Sequence, residues 1–460
     1  MAPKTDDNKI YALINYEDPY VQPLIVAAVK KHFPPDSIEF ISALDALPSP
    51  SSRLLQWVQY ESIDFPYLLS HASTSLANAY VIRKALIRKH YLSTTVANWV
   101  VKHPESVLAR GVKPSVEFEV DYAEFLDDAL VEAWELHESW ERGRRDGGRE
   151  WWILKPGMSE RGQGIRLFSS EEELTSIFEG WDPESDDEEE EEEDARSDAG
   201  SSFSPTTGKK GGEEEKEGNG IITSQLRHFI AQPYIHPPLL FSNRKFHIRT
   251  YVLATAALSV YVYRPMLALF AARPYAAPSS TAFAGEAGDA EDALRAHLTN
   301  TCLQETGERE GSVGLFWELP DAIPDQPTFE EGEDGVEVKG LGGKWKDDVF
   351  KQLCSITGEV FEAAARGMSI HFQPLPNAFE IFGLDFMVGV EEDGALRTWL
   401  LEVNAFPDFR QTGDECKGVV EGLMESVVRV GVVPFFAPDA ERDEGDAELV
   451  KVLDIDLGRR

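Results

Sequence analysis

Apolar positions along the chain follow two periods, and each period predicts a different element. The unbroken apolar run at residues 10–15 predicts a buried strand, and an apolar face repeated at helical spacing through residues 23–32 predicts a helix. Helical spacing recurs at residues 76–91 and 121–140, and residues 151–156 form a second short apolar run that is typical of a strand. Because a strand followed by a helix is the usual opening of an α/β domain, the pattern predicts a mixed α/β protein.

The longest apolar stretch, residues 251–275, raises the question of a membrane-spanning helix. Arg264 and Pro265 interrupt it near its middle, and β-branched and aromatic residues dominate its first half. These features favour a buried β-hairpin, so we expect no membrane segment. The first nine residues are polar and charged and are not followed by the apolar run of a secretory signal, so we expect a cytoplasmic protein.

Three segments of the chain are acidic. Residues 182–219 hold 16 acidic and 4 basic side chains, including an unbroken acidic run at 186–194. Low hydrophobicity combined with high net charge predicts a disordered insertion at 182–220. A second acidic loop is expected at 320–343, and residues 436–460 are expected to form a loose acidic tail.

The overall composition is that of a globular protein with a large negative charge. Of 460 residues, 42% are hydrophobic and 27% are charged, and 44 Lys and Arg against 81 Asp and Glu give a net charge of −37. This charge opposes association with phosphate backbones and anionic lipid, so neither nucleic acid nor a membrane is an expected partner. Cys302, Cys354 and Cys416 lack metal-ligand spacing, which argues against a zinc site and a disulfide framework and fits a reducing compartment.

A hairpin near the C-terminus carries the sharpest chemical signal. Apolar strands are predicted at residues 379–388 and 398–405, and the Asp-Gly dipeptide at 393–394 is a strong signal for a two-residue turn between them. With that turn, Glu392 pairs with Ala395, and this pairing sets the register of the whole hairpin.

In this register Asp385 lies directly opposite Glu402, and Asn404 lies on the same face. Facing carboxylates repel each other unless a cation lies between them, and an all-oxygen ligand set suits Mg²⁺ that carries substrate phosphates. A solvated acidic face is the alternative interpretation. The apolar residues that flank these positions favour the metal site.

A glycine-rich loop at residues 157–164 follows the strand that ends near Lys155. Glycines such as Gly162 and Gly164 let backbone N–H groups approach an anion, and Lys155 and Arg161 supply positive charge for phosphates. The sequence lacks the ending and the following helix of a Walker loop. Taken alone, the segment is equally consistent with a phosphate-binding lid and with a flexible loop of no function.

A third segment, residues 243–253, alternates basic and apolar side chains in the manner of a strand. Lys245, His247 and Arg249 share one face of it, and Arg264 ends a neighbouring predicted strand, where its planar fork suits carboxylate or phosphoryl oxygens. Surface salt bridges in an acidic protein explain the segment equally well.

Together these segments resemble the tubulin-tyrosine ligase family of ATP-grasp enzymes. Five motifs agree with the family in order, namely WILKP at 152–156 with RGQGI at 161–165, QPYI at 232–235, RKFHIR at 244–249, HLTN at 297–300 and the hairpin at 379–404. The resemblance implies an ATP-grasp fold with three parts. These are a small N-terminal α/β domain at 1–75, a central lid domain at 76–234 that contains the insertion, and a C-terminal domain with a mixed or antiparallel sheet at 235–435.

The resemblance also implies roles for individual residues. It implies nucleotide contacts for Lys155, Arg161, Gly162, Gly164, Gln232, Tyr234, Lys245, His247 and Asn300, magnesium ligation by Asp385, Glu402 and Asn404, and catalytic roles for Arg249 and Arg264. Three positions depart from the family pattern. His247 replaces a ribose-binding Asp, Pro233 replaces a common Lys, and Leu269 stands where a further Arg often lies, which puts nucleotide preference and acceptor identity in doubt.

The implied activity is ATP-dependent ligation of a free amino acid to a protein or peptide carboxylate through an acyl phosphate, with ATP and Mg²⁺ as cofactors. Tubulin is one candidate acceptor, although a net charge of −37 does not favour its acidic tail. The alternative is an interaction protein that keeps the fold, because the family includes members that associate with mRNA-decay granules (P-bodies). In that case the partners are granule proteins.

Overall fold

A computed structural model describes residues 9–157, 163–181, 226–279, 283, 292–299, 311–326, 338, 343–412, 416–438 and 448–458. The strands are β1 (Ile10–Asn15), β2 (Ile38–Ile41), β3 (Arg53–Val58), β4 (Ser75–Ala77), β5 (Val116–Glu119), β6 (Trp152–Pro156), β7 (Arg166–Phe168), β8 (His228–Pro233), β9 (Leu240–Phe241), β10 (Arg244–Thr255), β11 (Ser259–Tyr263), β12 (Leu267–Phe270), β13 (Val313–Leu315), β14 (Phe379–Val390), β15 (Leu396–Ala405) and β16 (Leu449–Asp454). The helices are α1 (Gln22–His32), α2 (Phe65–Ser70), α3 (Lys84–Ile87), α4 (Lys89–Lys102), α5 (Leu108–Gly111), α6 (Leu126–Leu130), α7 (Trp134–Asp146), α8 (Glu171–Glu179), α9 (Trp345–Gly367), α10 (Lys417–Val427) and α11 (Val433–Phe436).

The N-terminal part is a four-stranded parallel sheet with strand order β2-β1-β3-β4. Parallel strands are covered on both faces, which is why β1 and β3 are apolar runs without strict alternation. Helix α1 covers one face with Ile25 and Val29, and Pro23 fits its first turn because N–H groups there have no partner within the helix. The predicted βα opening is confirmed.

The central part is a four-stranded antiparallel sheet with strand order β5-β8-β6-β7. Its core is aromatic and includes Trp152, Phe178 and Phe229. Helix α8 begins after Ser170, whose hydroxyl accepts a hydrogen bond from the N–H of Glu173 at 3.2 Å. Strands β6 and β7 form a hairpin, so the glycine-rich loop is held at both ends.

The C-terminal part is an eight-stranded antiparallel sheet, in which β10 pairs with β9, β11, β12 and β14, and β14 pairs with β15. Helices α4 and α9 pack against one face. The other face packs against α10 and α1 and so shares its core with the N-terminal sheet. No helix within the described ranges combines the length and the apolar composition that crossing a bilayer requires.

The prediction of one helix at residues 76–91 is wrong in its first half, where β4 and an irregular segment precede α3. Ala77 N–H donates to the Asn377 carbonyl at 3.2 Å, and Tyr80 N–H donates to the Glu380 carboxylate at 3.1 Å. These partners from the C-terminal sheet replace the hydrogen bonds of a helix. Helices α3, α4 and α5 contribute to the core of the C-terminal sheet, although they precede the central sheet in the chain.

The prediction of one helix at residues 121–140 is also wrong, because α6 and α7 are separate. The backbone of Ala133 lies outside the helical region, with φ −83° and ψ 56°, and α7 starts directly after it. Ala133 and Leu130 are buried in the aromatic core, so packing fixes the break.

The C-terminal residues were expected to be loose, and the described part of them is not. Strand β16 pairs antiparallel with β11, and Leu449 is buried. The acidic insertion at 182–220 lies outside the described residues, as do 327–337 and 339–342 of the second acidic loop.

Candidate active site

A cavity of about 520 Å³ lies between the three sheets, and we call it the central cavity. Its walls come from β6, β8, β10, β14 and β15, from residues that follow β1 and β3, and from Lys89 at the start of α4. Residues that follow parallel strands meet at one edge of a sheet, which brings the N-terminal sheet to the cavity. All of the described candidate site residues except Gly164 and Arg264 line it.

Strands β14 and β15 form the hairpin that carries the predicted metal ligands, and we call it the metal hairpin. Together with β10 it brings three charged side chains into one row across three strands. Arg249 on β10 lies directly opposite Asp385 on β14, and Asp385 lies directly opposite Glu402 on β15. Asn404 is paired with Gly383 one step along the same face. The predicted facing of Asp385 and Glu402 is therefore confirmed, and Arg249 extends the row.

Arg249 forms a bidentate pair with Asp385 through its guanidinium group. Its Nε donates to Asp385 Oδ1, and its Nη2 donates to Oδ2 at 2.9 Å. Burial lowers the pKa of Arg249, but the adjacent carboxylate outweighs it and holds the pKa above its usual value. Burial raises the pKa of Asp385 to about 6, against the lowering effect of Arg249. The resemblance implied that Arg249 faces the substrate, and instead it is paired with a proposed metal ligand.

Glu402 has different partners. Lys89 Nζ lies 3.4 Å from its Oε2, and the Asn404 amide donates to its Oε1 at 3.2 Å. Burial raises the pKa of Glu402, but Lys89 and the Asn404 amide outweigh burial, so the pKa lies below its usual value. Glu402 is accordingly ionised.

The donor set fits a small hard cation. Within the described part of the chain, no three His, Cys, Asp or Glu side chains come together as metal ligands. A cation at the hairpin would therefore have two carboxylates and one amide, with phosphate and water oxygens to complete six ligands, which suits Mg²⁺. The Asn404 amide nitrogen faces both carboxylates, so ligation needs a rotation that presents its oxygen.

Two buried lysines line the central cavity together with this hairpin. Lys155 on β6 donates to Gln232 Oε1 at 2.8 Å, and Lys245 on β10 donates to Tyr234 Oη at 2.7 Å. Burial lowers the pKa of Lys155 to about 8 and that of Lys245 to about 7, and the charge of Lys155 contributes to the lower value at Lys245. An anion that enters the cavity would favour the charged form of both.

Gln232 and Tyr234 act through their side chains. The Gln232 amide also donates to Ser115 Oγ at 2.7 Å, so its oxygen is fixed toward Lys155. Tyr234 N–H already donates to the Trp151 carbonyl at 2.8 Å. Tyr234 Oη lies 2.9 Å from His297 Nδ1, which completes a relay from Lys245 to His297.

His247 is buried and has one unsatisfied nitrogen. Its Nδ1 lies 2.6 Å from Thr299 Oγ1, while its Nε2 is buried without a hydrogen-bond partner, 3.7 Å from Asp385 Oδ1. Burial, followed by the charge of Arg249, lowers the pKa of His247 to about 3, so the ring is neutral.

Arg264 does not line the central cavity, so the geometry gives no support to its predicted catalytic role. Its guanidinium stacks on Trp317, 4.2 Å from the ring centroid, and donates to Asp347 at 3.3 Å. The end of β11 points it toward α9, away from the central cavity. Leu269 pairs with His247 across β12 and β10 and is buried, so it supplies no charge.

Of the predicted loop residues, only Gly164 lies within the described ranges, while Arg161, Gly162 and Asn300 lie outside them. Gly164 has φ +72°, and a Cβ there would lie 2.6 Å from Pro156 Cγ. Glycine at this position lets the backbone approach Pro156 at the end of β6.

Sequence reasoning missed two lysines in the central cavity. Lys89 contacts Glu402, and Lys113 lies over the Trp399 ring, 4.0 Å from its centroid. Four basic residues at positions 83–89, the last of which is Lys89 itself, were a visible signal. Lys113 follows α5 and has no comparable neighbours.

The central sheet carries a buried lysine, the C-terminal sheet carries two facing carboxylates, and a cavity lies between the two sheets. This arrangement is that of an ATP-grasp protein. The chain belongs to the tubulin-tyrosine ligase family, whose model matches residues 115–440.

Relatives extend the similarity over nearly the whole chain. The chain is 40% identical over 458 residues to a probable tubulin–tyrosine ligase of Schizosaccharomyces pombe, covering 99% of both chains. It is also 38% identical over 444 residues to PBY1 of Saccharomyces cerevisiae, described as a probable tubulin–tyrosine ligase. That alignment covers 95% of this chain and 54% of PBY1. The crystal structure of the C-terminal domain of K. lactis Pby1, described as an ATP-grasp enzyme interacting with the mRNA decapping enzyme Dcp2, superimposes with a TM-score of 0.64 at 33% identity, over 97% of this chain and 99% of that one.

Proposed function

We propose that this protein is a magnesium-dependent ligase that uses ATP to join a free amino acid to a carboxylate of a protein or peptide. The γ-phosphoryl group of ATP is transferred to the acceptor carboxylate, which releases ADP. The amine of the amino acid then attacks the acyl phosphate and displaces phosphate, so that an amide forms.

The observation that carries the proposal is the charge arrangement of the central cavity. Asp385 and Glu402 face each other on β14 and β15, and Lys155 on β6 and Lys245 on β10 line the same cavity. Carboxylates for a cation and lysines for phosphates in one cavity suit a nucleoside triphosphate.

The residues divide this work. Asp385, Glu402 and Asn404 would hold Mg²⁺, which neutralises phosphate charge when bound. Lys155 and Lys245 would donate to phosphate oxygens, and Gln232 and Tyr234 fix both ammonium groups in place. Since ligation needs no side-chain nucleophile, positioning and charge stabilisation are the required contributions.

The test is ADP release that depends on both an amino acid and an acceptor. Purified full chain is assayed with each of the 20 amino acids against tubulin and against cell-extract proteins, and mass spectrometry locates the added residue. Glu402→Gln should lower turnover at least ~100-fold because the cation loses a charged ligand.

Glu391→Gln is the matched control, since Glu391 pairs with Arg397 at 2.8 Å and does not line the central cavity. It should retain full turnover. ADP release that needs no amino acid, or a stable phosphorylated product, would contradict ligation.

A second candidate is an interaction protein of the mRNA-decapping machinery in cytoplasmic decay granules. Two observations favour it, namely the similarity to K. lactis Pby1 and the fork of Arg249 that occupies both oxygens of Asp385. This candidate predicts tight binding to a purified decapping enzyme that Glu402→Gln leaves unchanged, together with no turnover in any amino-acid assay.

A further inference from the structure

Each carboxylate of the metal hairpin has a protein cation beside it. Arg249 donates two hydrogen bonds to Asp385, and Lys89 Nζ lies 3.4 Å from Glu402. The two negative charges that would hold a metal are therefore balanced by two positive charges of the chain itself.

The two cations are not equivalent. Arg249 and Asp385 are paired residues of neighbouring strands, both are buried, and the guanidinium fork covers both carboxylate oxygens. Lys89 contacts one oxygen of Glu402 from a separate element, the first turn of α4. A bidentate arginine is the stronger partner of a carboxylate, so Asp385 is the ligand that a metal reaches with more difficulty.

The surroundings add to this effect. Lys155 and Lys245 line the same cavity, so a bare divalent cation that approaches Asp385 meets Arg249 and the positive charge that these lysines carry when protonated. An anion in the cavity would reverse this, because it gives Arg249 an alternative partner and neutralises the lysines.

We infer that Arg249 is a resident counter-ion of Asp385 that a metal must displace, so that a metal binds well only together with an anionic ligand that draws Arg249 away. The inference rests on the proposed function, because it takes Asp385 as a metal ligand. It makes metal and polyphosphate binding reciprocal, since each then raises the affinity of the other by the same factor.

The unsatisfied nitrogen of His247 fits this exchange. In the tautomer in which Thr299 donates to Nδ1, the proton is on Nε2, which lies 3.7 Å from Asp385 Oδ1 and is buried without a partner. When Arg249 turns to an anion, His247 is the donor placed to hold Asp385 in its ligating position. His247 is thus a positioning residue.

The test measures binding of Mn²⁺ alone to the full chain by electron paramagnetic resonance, at pH 7.5 and without nucleotide. The wild type should bind Mn²⁺ weakly, and Arg249→Gln should bind it at least tenfold more tightly because the competing charge is gone. Arg264→Gln is the matched control, since it removes the same charge outside the central cavity and should equal the wild type. Arg249→Lys should fall between Arg249→Gln and the wild type, because it keeps the charge without the fork.

A second measurement adds ATP. Wild type should then bind Mn²⁺ in a ternary complex, and His247→Phe should weaken Mn²⁺ binding only in the presence of ATP. Arg249→Gln that stays folded by circular dichroism and binds Mn²⁺ no more tightly than the wild type would overturn the inference. If the wild type fails to bind Mn²⁺ even with ATP, the proposed function fails as well.

Discussion

Lys155 and Lys245 are buried ammonium groups in a protein that is otherwise strongly acidic. Removing a charge from water is costly, and the structure responds by lowering the pKa of both groups rather than by pairing them with carboxylates. Their hydrogen bonds go to Gln232 and Tyr234, which are neutral. An anion that enters the central cavity therefore competes only with neutral groups for these two hydrogen-bond donors. For Arg249 it would compete with the Asp385 carboxylate.

These pKa values predict that ATP binding takes up protons. A lysine with a pKa of about 7 is about 90% unprotonated at pH 8, and one with a pKa of about 8 is about half unprotonated. Because triphosphate favours the charged forms, binding at pH 8 should take up about one proton, and ATP affinity should fall as the pH rises from 7 to 9. Calorimetry in two buffers of different ionisation enthalpy measures this uptake.

Lys245→Met should remove most of the uptake and weaken ATP binding. Lys344→Met is a suitable control because Lys344 precedes α9, is exposed and lies outside the central cavity. Proton release on binding, or affinity that rises with pH, would contradict the assigned pKa values.

At the scale of elements, the predicted pairing of Asp385 with Glu402 is observed, but the predicted turn and the register next to it are wrong. The turn has three residues, since Glu391 N–H donates to the Ala395 carbonyl at 2.8 Å and Val390 pairs with Leu396. This shifts the register by one residue, and a β-bulge at Leu401 shifts it back before Glu402. The bulge lets Leu400 face the core while Glu402 faces the central cavity. The local sequence, two leucines followed by a glutamate, does not reveal that a bulge is present.

The prediction of a helix at residues 76–91 was wrong for a different reason. Spacing at 76–91 matched a helix, but Ala77 and Tyr80 obtain their hydrogen bonds from residues about 300 positions later in the chain. Such partners cannot be read from local periodicity. By contrast β1, α1, β6 and β14 are local apolar patterns that their own packing supports, and these were predicted to within two residues.

The three-residue turn makes a specific demand on Gly394, which has φ +79°. Gly394→Ala should destabilise the protein by about 1 kcal/mol because a Cβ is unfavourable in the left-handed region. Gly418→Ala in α10 is the control, since a Cβ there meets nothing within 4 Å and should be neutral or stabilise by up to about 1 kcal/mol. Urea denaturation measures both, and equal effects of the two changes would argue against the assigned turn.

Strand β16 predicts that the C-terminus matters for stability. Ending the chain after residue 447 removes buried Leu449 and exposes the edge of β11. We expect a loss of about 3 kcal/mol or more from lost apolar burial, together with self-association through the open edge. Urea denaturation and light scattering measure these effects. A chain that ends after residue 458 keeps β16 and should behave as the full chain, whereas an unchanged stability after residue 447 would mean that β16 is dispensable.

At the scale of the whole molecule, the net charge of −37 is spread unevenly, and residues 182–219 carry 12 of those charges. This insertion enters the chain between Trp181 and Leu226, both of which pack in the aromatic core of the central sheet. The described chain on either side of the insertion is therefore anchored in this core. The acidic segment at the C-terminus, residues 436–460, which was expected to be loose, contains β16 instead. Acidity alone therefore does not decide which segments are dispensable.

Replacing residues 182–220 with an eight-residue Gly/Ser linker should leave ATP binding unchanged. The segment holds almost no apolar side chains, so it has little to offset an ordering cost of roughly 1–2 kcal/mol per residue. Scanning calorimetry in 0.5 M NaCl should give the same melting temperature as the full chain. At low salt the linker variant should melt at a slightly higher temperature than the full chain. Repulsion between negative charges is unscreened there, and the variant has lost part of it. Truncation after residue 447 serves as the destabilised reference in the same experiment. A loss of stability of similar size in the linker variant would show that the insertion packs against the fold and that its composition was misread.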